Sequence, residues 1–422
     1  MSKVLSRVRK TIPLLLMLFA LALPTSALAG GLVGDAFPIS ADKSLNETEA
    51  AIAYNPDREE YLVVWYNDSQ DDFIQAQRLD KDGSKIGSPV TISEGLEHDR
   101  HYPDVAYNTQ HDQYLVVWED RDKNDWKSIQ ARRLSGTGSV LDSYDILISE
   151  YDLDIDSSKP AVGYSPISDT YMVVWTEYQI APLSYGVYAR RITYEGNYKG
   201  SPFTISQSIY RHSEPDIAYN SQTDRYLVVW QQLIQPKNVT DIRGCQVYGD
   251  GGIYSTVFDI HADPKNASRP AVATIANAPG DNKFLVVFEY EFDKASDDYD
   301  IWGYFIENNG AIGDSVFPAT SFNKESTPAV AWSESAGEFL VTWREDVAIH
   351  DNRLKACLYD INGVSVGFIY ETSGEATAFP AVDAGPLGDF LVAWQDQEWG
   401  EPDRDLFGAL FGYRNYAPLI VN

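Results

Sequence analysis

Tyr61-Leu-Val-Val-Trp65 returns, with small changes, as Tyr114 to Trp118, Tyr171 to Trp175, Tyr226 to Trp230, Phe284 to Phe288, Phe339 to Trp343 and Phe390 to Trp394. A phrase recurring at intervals of ~55 residues marks a solenoid, a propeller or an array of domains. It is apolar at successive positions, so both faces of the strand it forms must be covered, as in a sheet lying between two other sheets. This fixes the architecture more sharply than the activity.

Working outward, each copy is flanked by further strand-like segments bounded by turn residues. Before it stands Pro103-Asp-Val-Ala-Tyr107, Pro160 to Tyr164, Pro215 to Tyr219 or Pro328 to Trp332. After it comes Ile74 to Leu79 and its relatives, whose third position is always small: Ala76, Ala131, Ala189, Gly244, Gly303, Ala356 and Gly408. A small residue there is expected to leave room for a large aromatic of a neighbouring strand or sheet. A turn with Asp82-Gly83, Glu195-Gly196, Asn309-Gly310 or Asn362-Gly363 then leads to a fourth segment such as Ser201 to Ser206. Such pairs predict type I′ hairpins, in which both central residues take positive φ.

Four antiparallel strands repeated radially describe a propeller blade. The seventh unit stops after its third strand, at Phe411, while Asp35-Ala-Phe-Pro-Ile-Ser40 matches the missing fourth at the other end of the chain. The fold is therefore read as all-β: a seven-bladed β-propeller of four-stranded antiparallel blades, closed by the N-terminal strand completing the last blade, which leaves no open edge. Cys245 and Cys357 fall in one register of blades four and six, which do not touch, and are expected to be free thiols.

Over residues 35 to 411 the chain resembles secreted bacterial β-propellers built from Tyr-Leu-Val-Val-Trp repeats, and more loosely the TolB-like and WD-repeat propellers. The best-matching stretch is Trp118-Glu-Asp-Arg121 followed by Ile129-Gln-Ala-Arg-Arg-Leu134. No TolB-type Ser-Pro-Asp-Gly turn and no WD-type Gly-His pair occurs, so the likeness implies architecture and not activity.

Lys3, Arg7, Arg9 and Lys10 precede an apolar run from Ile12 to Leu23 and then Ala27-Leu28-Ala29, which reads as a secretory signal peptide over residues 1–29. A propeller over 30–413 and a C-terminal tail over 414–422 follow. The chain is expected to be secreted, extracellular or periplasmic, with no membrane insertion and as a monomer. A formal charge of -29, more negative still without the signal, makes nucleic acid and anionic membranes poor partners.

In this strand order the second-to-third loops and the blade-to-blade loops share one face, and both are expected to be long and irregular, which makes that face the candidate functional surface. Its loops are rich in aspartate, and oxygen clusters suit Ca²⁺. Asp297, Asp298 and Asp300 in blade five are the candidate calcium ligands. Most tryptophans keep one repeat register and are core residues. Trp126 and Trp399, with Tyr178, Tyr185 and Tyr299, fall in the loops and are the candidates for stacking on a ligand. Glu97-His98-Asp99-Arg100-His101 could supply metal ligands, but the other copies do not reproduce it.

Two functions fit. The first is a secreted, non-enzymatic binding or scaffold propeller engaging a protein or polysaccharide through its acidic, aromatic-bearing loops. The second is an extracellular glycan-processing hydrolase or lyase using loop carboxylates. A catalytic centre forces idiosyncratic residues into blades near the axis, and only blades five and seven depart from the repeat, modestly, so the sequence favours the first.

Overall fold

The computed structural model describes residues 31–40, 45–68, 72–93, 98–150, 154–275, 282–348, 351–367, 370–371, 378–396 and 404–412. They form seven four-stranded antiparallel sheets. In blade 1 the strands are Asn46–Asn55, Glu60–Asp68, Phe73–Asp80 and Lys85–Thr91, from the inside outward. Inner strands of successive blades touch, and that of blade 7 touches that of blade 1, so the sheets close into a propeller around an axis. The last blade pairs Gly31–Ser40 with Asp405–Gly412, so its outer strand comes from the N-terminal end as expected, four residues longer than the repeat phrase.

The recurring phrase is buried on both sides for the reason its apolar run suggests. Leu62 and Val64 pack with Tyr114, Val116 and Trp118 of blade 2, whereas Tyr61, Val63 and Trp65 of the same strand pack with Leu391 and Ala393 of blade 7. Alternate residues of one strand therefore belong to two inter-blade cores. Five of the tryptophans, Trp65, Trp118, Trp175, Trp230 and Trp343, are among the largest fully buried side chains. Cys245 and Cys357 are buried and free.

The small residue of the third strand makes room within its own blade. A Cβ on Gly244 would lie 3.0 Å from Phe258, and one on Gly408 would lie 2.8 Å from Ile39 and 3.0 Å from Phe37, all on the outer strand. In blade 5 the neighbour is Val316, so the space serves an outer-strand side chain that need not be aromatic.

Two local expectations are corrected. In the third-to-fourth turns only the glycine has positive φ, 84° at Gly83 and Gly196, and Gly83 N donates to Asp80 O. This is a type I turn followed by a left-handed glycine, a three-residue hairpin with a bulge and not a type I′ turn. The second-to-third connections are also tighter than expected. Between Gln113–Asp122 and Lys127–Ser135, or Thr170–Gln179 and Ser184–Thr193, the strands run on past the core and leave short hairpins.

Candidate functional site at the axial mouth

Every inner strand carries a bulge near its start. In blade 2 the pairing of His98–Asn108 with its neighbour slips between His101 and Asp104, and in blade 4 it slips between Ser213 and Asp216. The slip leaves one residue in the left-handed region: Glu49 (φ 55°), Tyr102 (51°), Lys159 (53°), Glu214 (53°), Arg269 (48°), Thr327 (50°) and Phe379 (49°). None is glycine, so each conformation costs roughly 1–3 kcal/mol and must be held by its surroundings. Six of the seven stand immediately before a proline.

The holding groups come largely from the preceding blade. Tyr102 N donates to Glu49 Oε2 at 2.8 Å, Lys159 N to Glu119 Oε2 at 3.3 Å, Arg269 N to Gln231 Oε1 at 2.9 Å and Thr327 N to Glu289 Oε1 at 2.8 Å. Glu119, Gln231 and Glu289 each follow the final aromatic of the repeated phrase, so the core strand of one blade secures the bulge of the next.

All seven left-handed residues line one cavity of about 370 Å³ at the axis, on the face of the second-to-third hairpins. Bulges re-aim side chains, and here they turn seven of them toward one place. Lys159 Nζ forms an ion pair with Glu214 and lies 4.6 Å from the centre of the Tyr102 ring. Arg269 Nη1 donates to Glu289 Oε1 at 2.9 Å, with nearly half its side chain exposed. Phe379 shows 42% of its surface. Two residues past the bulge, Asp104 and Asp216 join the cavity wall. Asp104 Oδ2 accepts Val162 N at 2.7 Å and Asp216 Oδ2 accepts Val272 N at 2.8 Å, which stitches each blade to the next. Burial pushes the Asp104 carboxyl up to about 7 and that of Asp216 up to about 6, because the charged form is poorly solvated there.

Of the residues singled out from sequence, Tyr178 and Tyr185 come together, stacked at 4.8 Å on blade 3 beside the cavity. Tyr299 lies apart, with Lys324 Nζ 5.2 Å from its ring centre. Trp126 is half-buried in the hairpin closed by Asp122 N donating to Trp126 O, and it does not line the axial cavity. Trp399 lies outside the described residues. The three aspartates do not converge. Asp297 pairs with Lys324 at 2.9 Å, Asp300 accepts Trp302 Nε1 at 3.2 Å, and Asp298 is buried. Among the described residues no three histidine, cysteine or acidic side chains are placed to hold a metal ion. His98 Nδ1 lies 2.8 Å from Asp120 and His101 Nε2 lies 2.8 Å from Asp99, so the two histidines serve different carboxylates.

The ring does not stand out in the sequence, because the recurring inner-strand phrase begins at its proline. The signal stands one place earlier, where Glu, Tyr, Lys, Glu, Arg, Thr and Phe follow one another in a register whose neighbours hardly vary.

No protein-family model and no curated protein matches the chain. Solved structures do. A protein of unknown function from Dyadobacter fermentans superposes with a TM-score of 0.58 at 9% identity, over 92% of this chain and 100% of that one. An α-L-arabinanase from Penicillium chrysogenum, complexed with arabinobiose, gives 0.51 at 11% identity over 90% and 98%. A Hadza microbial sialidase gives 0.50 at 10% identity over 74% of this chain and 66% of its own. At these identities the likeness is one of fold.

The expectation of a non-enzymatic scaffold is corrected here. It rested on the regularity of the repeats, yet the axial register varies from blade to blade, and propellers of this shape include proteins named as a sialidase and an arabinanase.

Proposed function

We propose that this chain is a secreted glycan-cleaving hydrolase whose active site is the axial mouth. The observation that carries the reading is the ring of seven left-handed residues, all different apart from a repeated glutamate, converging on one cavity. Strain of this kind persists where function retains it. Glycoside hydrolysis needs a carboxylate to act as base or nucleophile and a neutral carboxyl to protonate the leaving oxygen. Glu214, ion-paired with Lys159, fits the first role, and Glu49 on the opposite arc is its alternative. Asp104 fits the second, because burial keeps it protonated up to about pH 7. Tyr102 and Phe379 offer aromatic faces for the apolar side of a sugar ring.

The test is release of reducing ends from a panel of polysaccharides and aryl glycosides by the wild type and by Glu214→Gln and Glu49→Gln. Turnover of at least one substrate, reduced at least about 100-fold by one substitution, is expected of a group acting in the transition state. Turnover that both variants retain would remove these carboxylates from the mechanism. No turnover on any substrate would count against the enzyme reading.

A further inference from the structure

On the same face as the axial cavity a second hollow, of about 240 Å³, opens between blades 3 and 4. Lys159 lines both, so the two adjoin. One wall is the tyrosine pair. Tyr178 and Tyr185 face each other across the second and third strands of blade 3, rings 24° from parallel, and both remain partly open. The acid between them and the core is engaged, since Glu177 Oε2 accepts Trp175 Nε1 at 3.2 Å.

The cations of this hollow differ in what they meet. Lys127 pairs with Glu119 at 2.9 Å and Lys159 pairs with Glu214. Arg211, exposed on the opposite wall at the start of blade 4, makes no ion pair among the described residues. Asp156 also lines the hollow, yet among the described residues no carboxylate pairs with the Arg211 guanidinium, and such a cation at the edge of a cavity is a group available to a ligand. An aromatic wall with a fork-shaped cation across from it matches a sugar ring that carries a carboxylate.

We propose that the hollow between blades 3 and 4 is a second sugar subsite, which seats the neighbouring residue of a uronate-bearing polysaccharide on Tyr178 and Tyr185 and takes its carboxylate on Arg211. This rests on the glycan-cleaving reading of the axial mouth and deepens it. The substrate is then an acidic chain crossing from the axis toward the rim between two blades. Its binding weakens with salt, as expected for a charge contact at a partly exposed site.

The experiment is affinity electrophoresis of the full chain in gels containing polygalacturonate, alginate or hyaluronate, with arabinan and galactan as neutral controls. The proteins are the wild type, Arg211→Gln, Tyr185→Ala and Glu214→Gln, each checked for an unchanged melting curve. Retardation by at least one uronate polymer is expected, weakened on the order of tenfold in Arg211→Gln and in Tyr185→Ala. Arg211 is exposed, so its variant keeps the test sound if Tyr185→Ala fails to fold. Equal retardation of Arg211→Gln and the wild type would overturn the proposal, as would retardation by neutral polymers alone. Retardation of Glu214→Gln by a uronate polymer that it no longer cleaves would support both readings. Turnover of a short glycoside with no polymer bound would remove the second subsite and leave the axial site standing.

Discussion

Thr327 shows most plainly what the ring costs at the scale of one residue. It is β-branched, sits at φ 50°, and its Oγ1 is buried without a hydrogen-bond partner. Glycine adopts this conformation freely, so Thr327→Gly should gain about 1 kcal/mol in urea unfolding despite glycine's larger entropy loss. An unchanged or lower stability would mean that the left-handed residue stores no strain. The carboxyls of the channel wall make a second prediction. Burial raises Asp104 to about 7, and Asp216 and Asp383 to about 6, all above the usual value near 4. The fold thus binds these protons more tightly than the unfolded chain does, so the stability they contribute is complete below pH ~4 and is lost as pH rises through 6 to 7. The melting temperature should fall between pH 5 and pH 8, and Asp104→Asn should flatten that fall while keeping an acceptor for Val162 N. If Asp104 is also the acid of the reaction, activity should decline above pH ~7. A melting temperature that rises over this range would show that the buried imidazole of His212, which burial pushes down to about 4 so that the fold favours its neutral form, outweighs the channel wall.

Among the elements, the closing strand Gly31–Ser40 decides whether the blades form a ring. Ile39 is fully buried against Leu406 and Leu410, and Phe37 packs beside it. Gly408→Val places a side chain where Ile39 and Phe37 already stand, 2.8 Å and 3.0 Å from its Cβ. It should cost about 1–3 kcal/mol by overpacking. Deleting residues 31–40 should cost more and expose Asp405–Gly412 as an edge, so the shortened chain should melt earlier and self-associate in sedimentation. Unchanged melting in both variants would refute closure through this strand. Elements of this kind were legible in the sequence because burial on two faces forces an unbroken apolar phrase, and a ring forces a missing strand to reappear at the other end. The bulges were not legible. A left-handed residue before proline leaves no periodicity, and its ring depends on seven blades meeting at an axis. Trp126 and the three aspartates of blade five stood out in sequence for the opposite reason. They break the local repeat, but the hairpins that carry them are short and these four residues do not line the axial cavity.

For the whole molecule, seven near-identical blades build the walls while seven residues of six kinds, one per blade, build the mouth. Propellers host unrelated activities on one architecture, so the weight of any function falls on that mouth. The rear of the channel supplies the contrast. There Tyr107 and Tyr164 recur in register, their hydroxyls donating to Asp112 at 3.1 Å and Asp169 at 2.9 Å, as packing requires. The measurement that tests the account most directly is a crystal structure of Glu214→Gln soaked with an oligosaccharide that the wild type cleaves. Sugar density is expected in the axial cavity, within hydrogen-bond reach of Lys159 and against Tyr102 or Phe379. Sugar bound only at the rear mouth or on the outer strands, with the axial cavity empty, would contradict it.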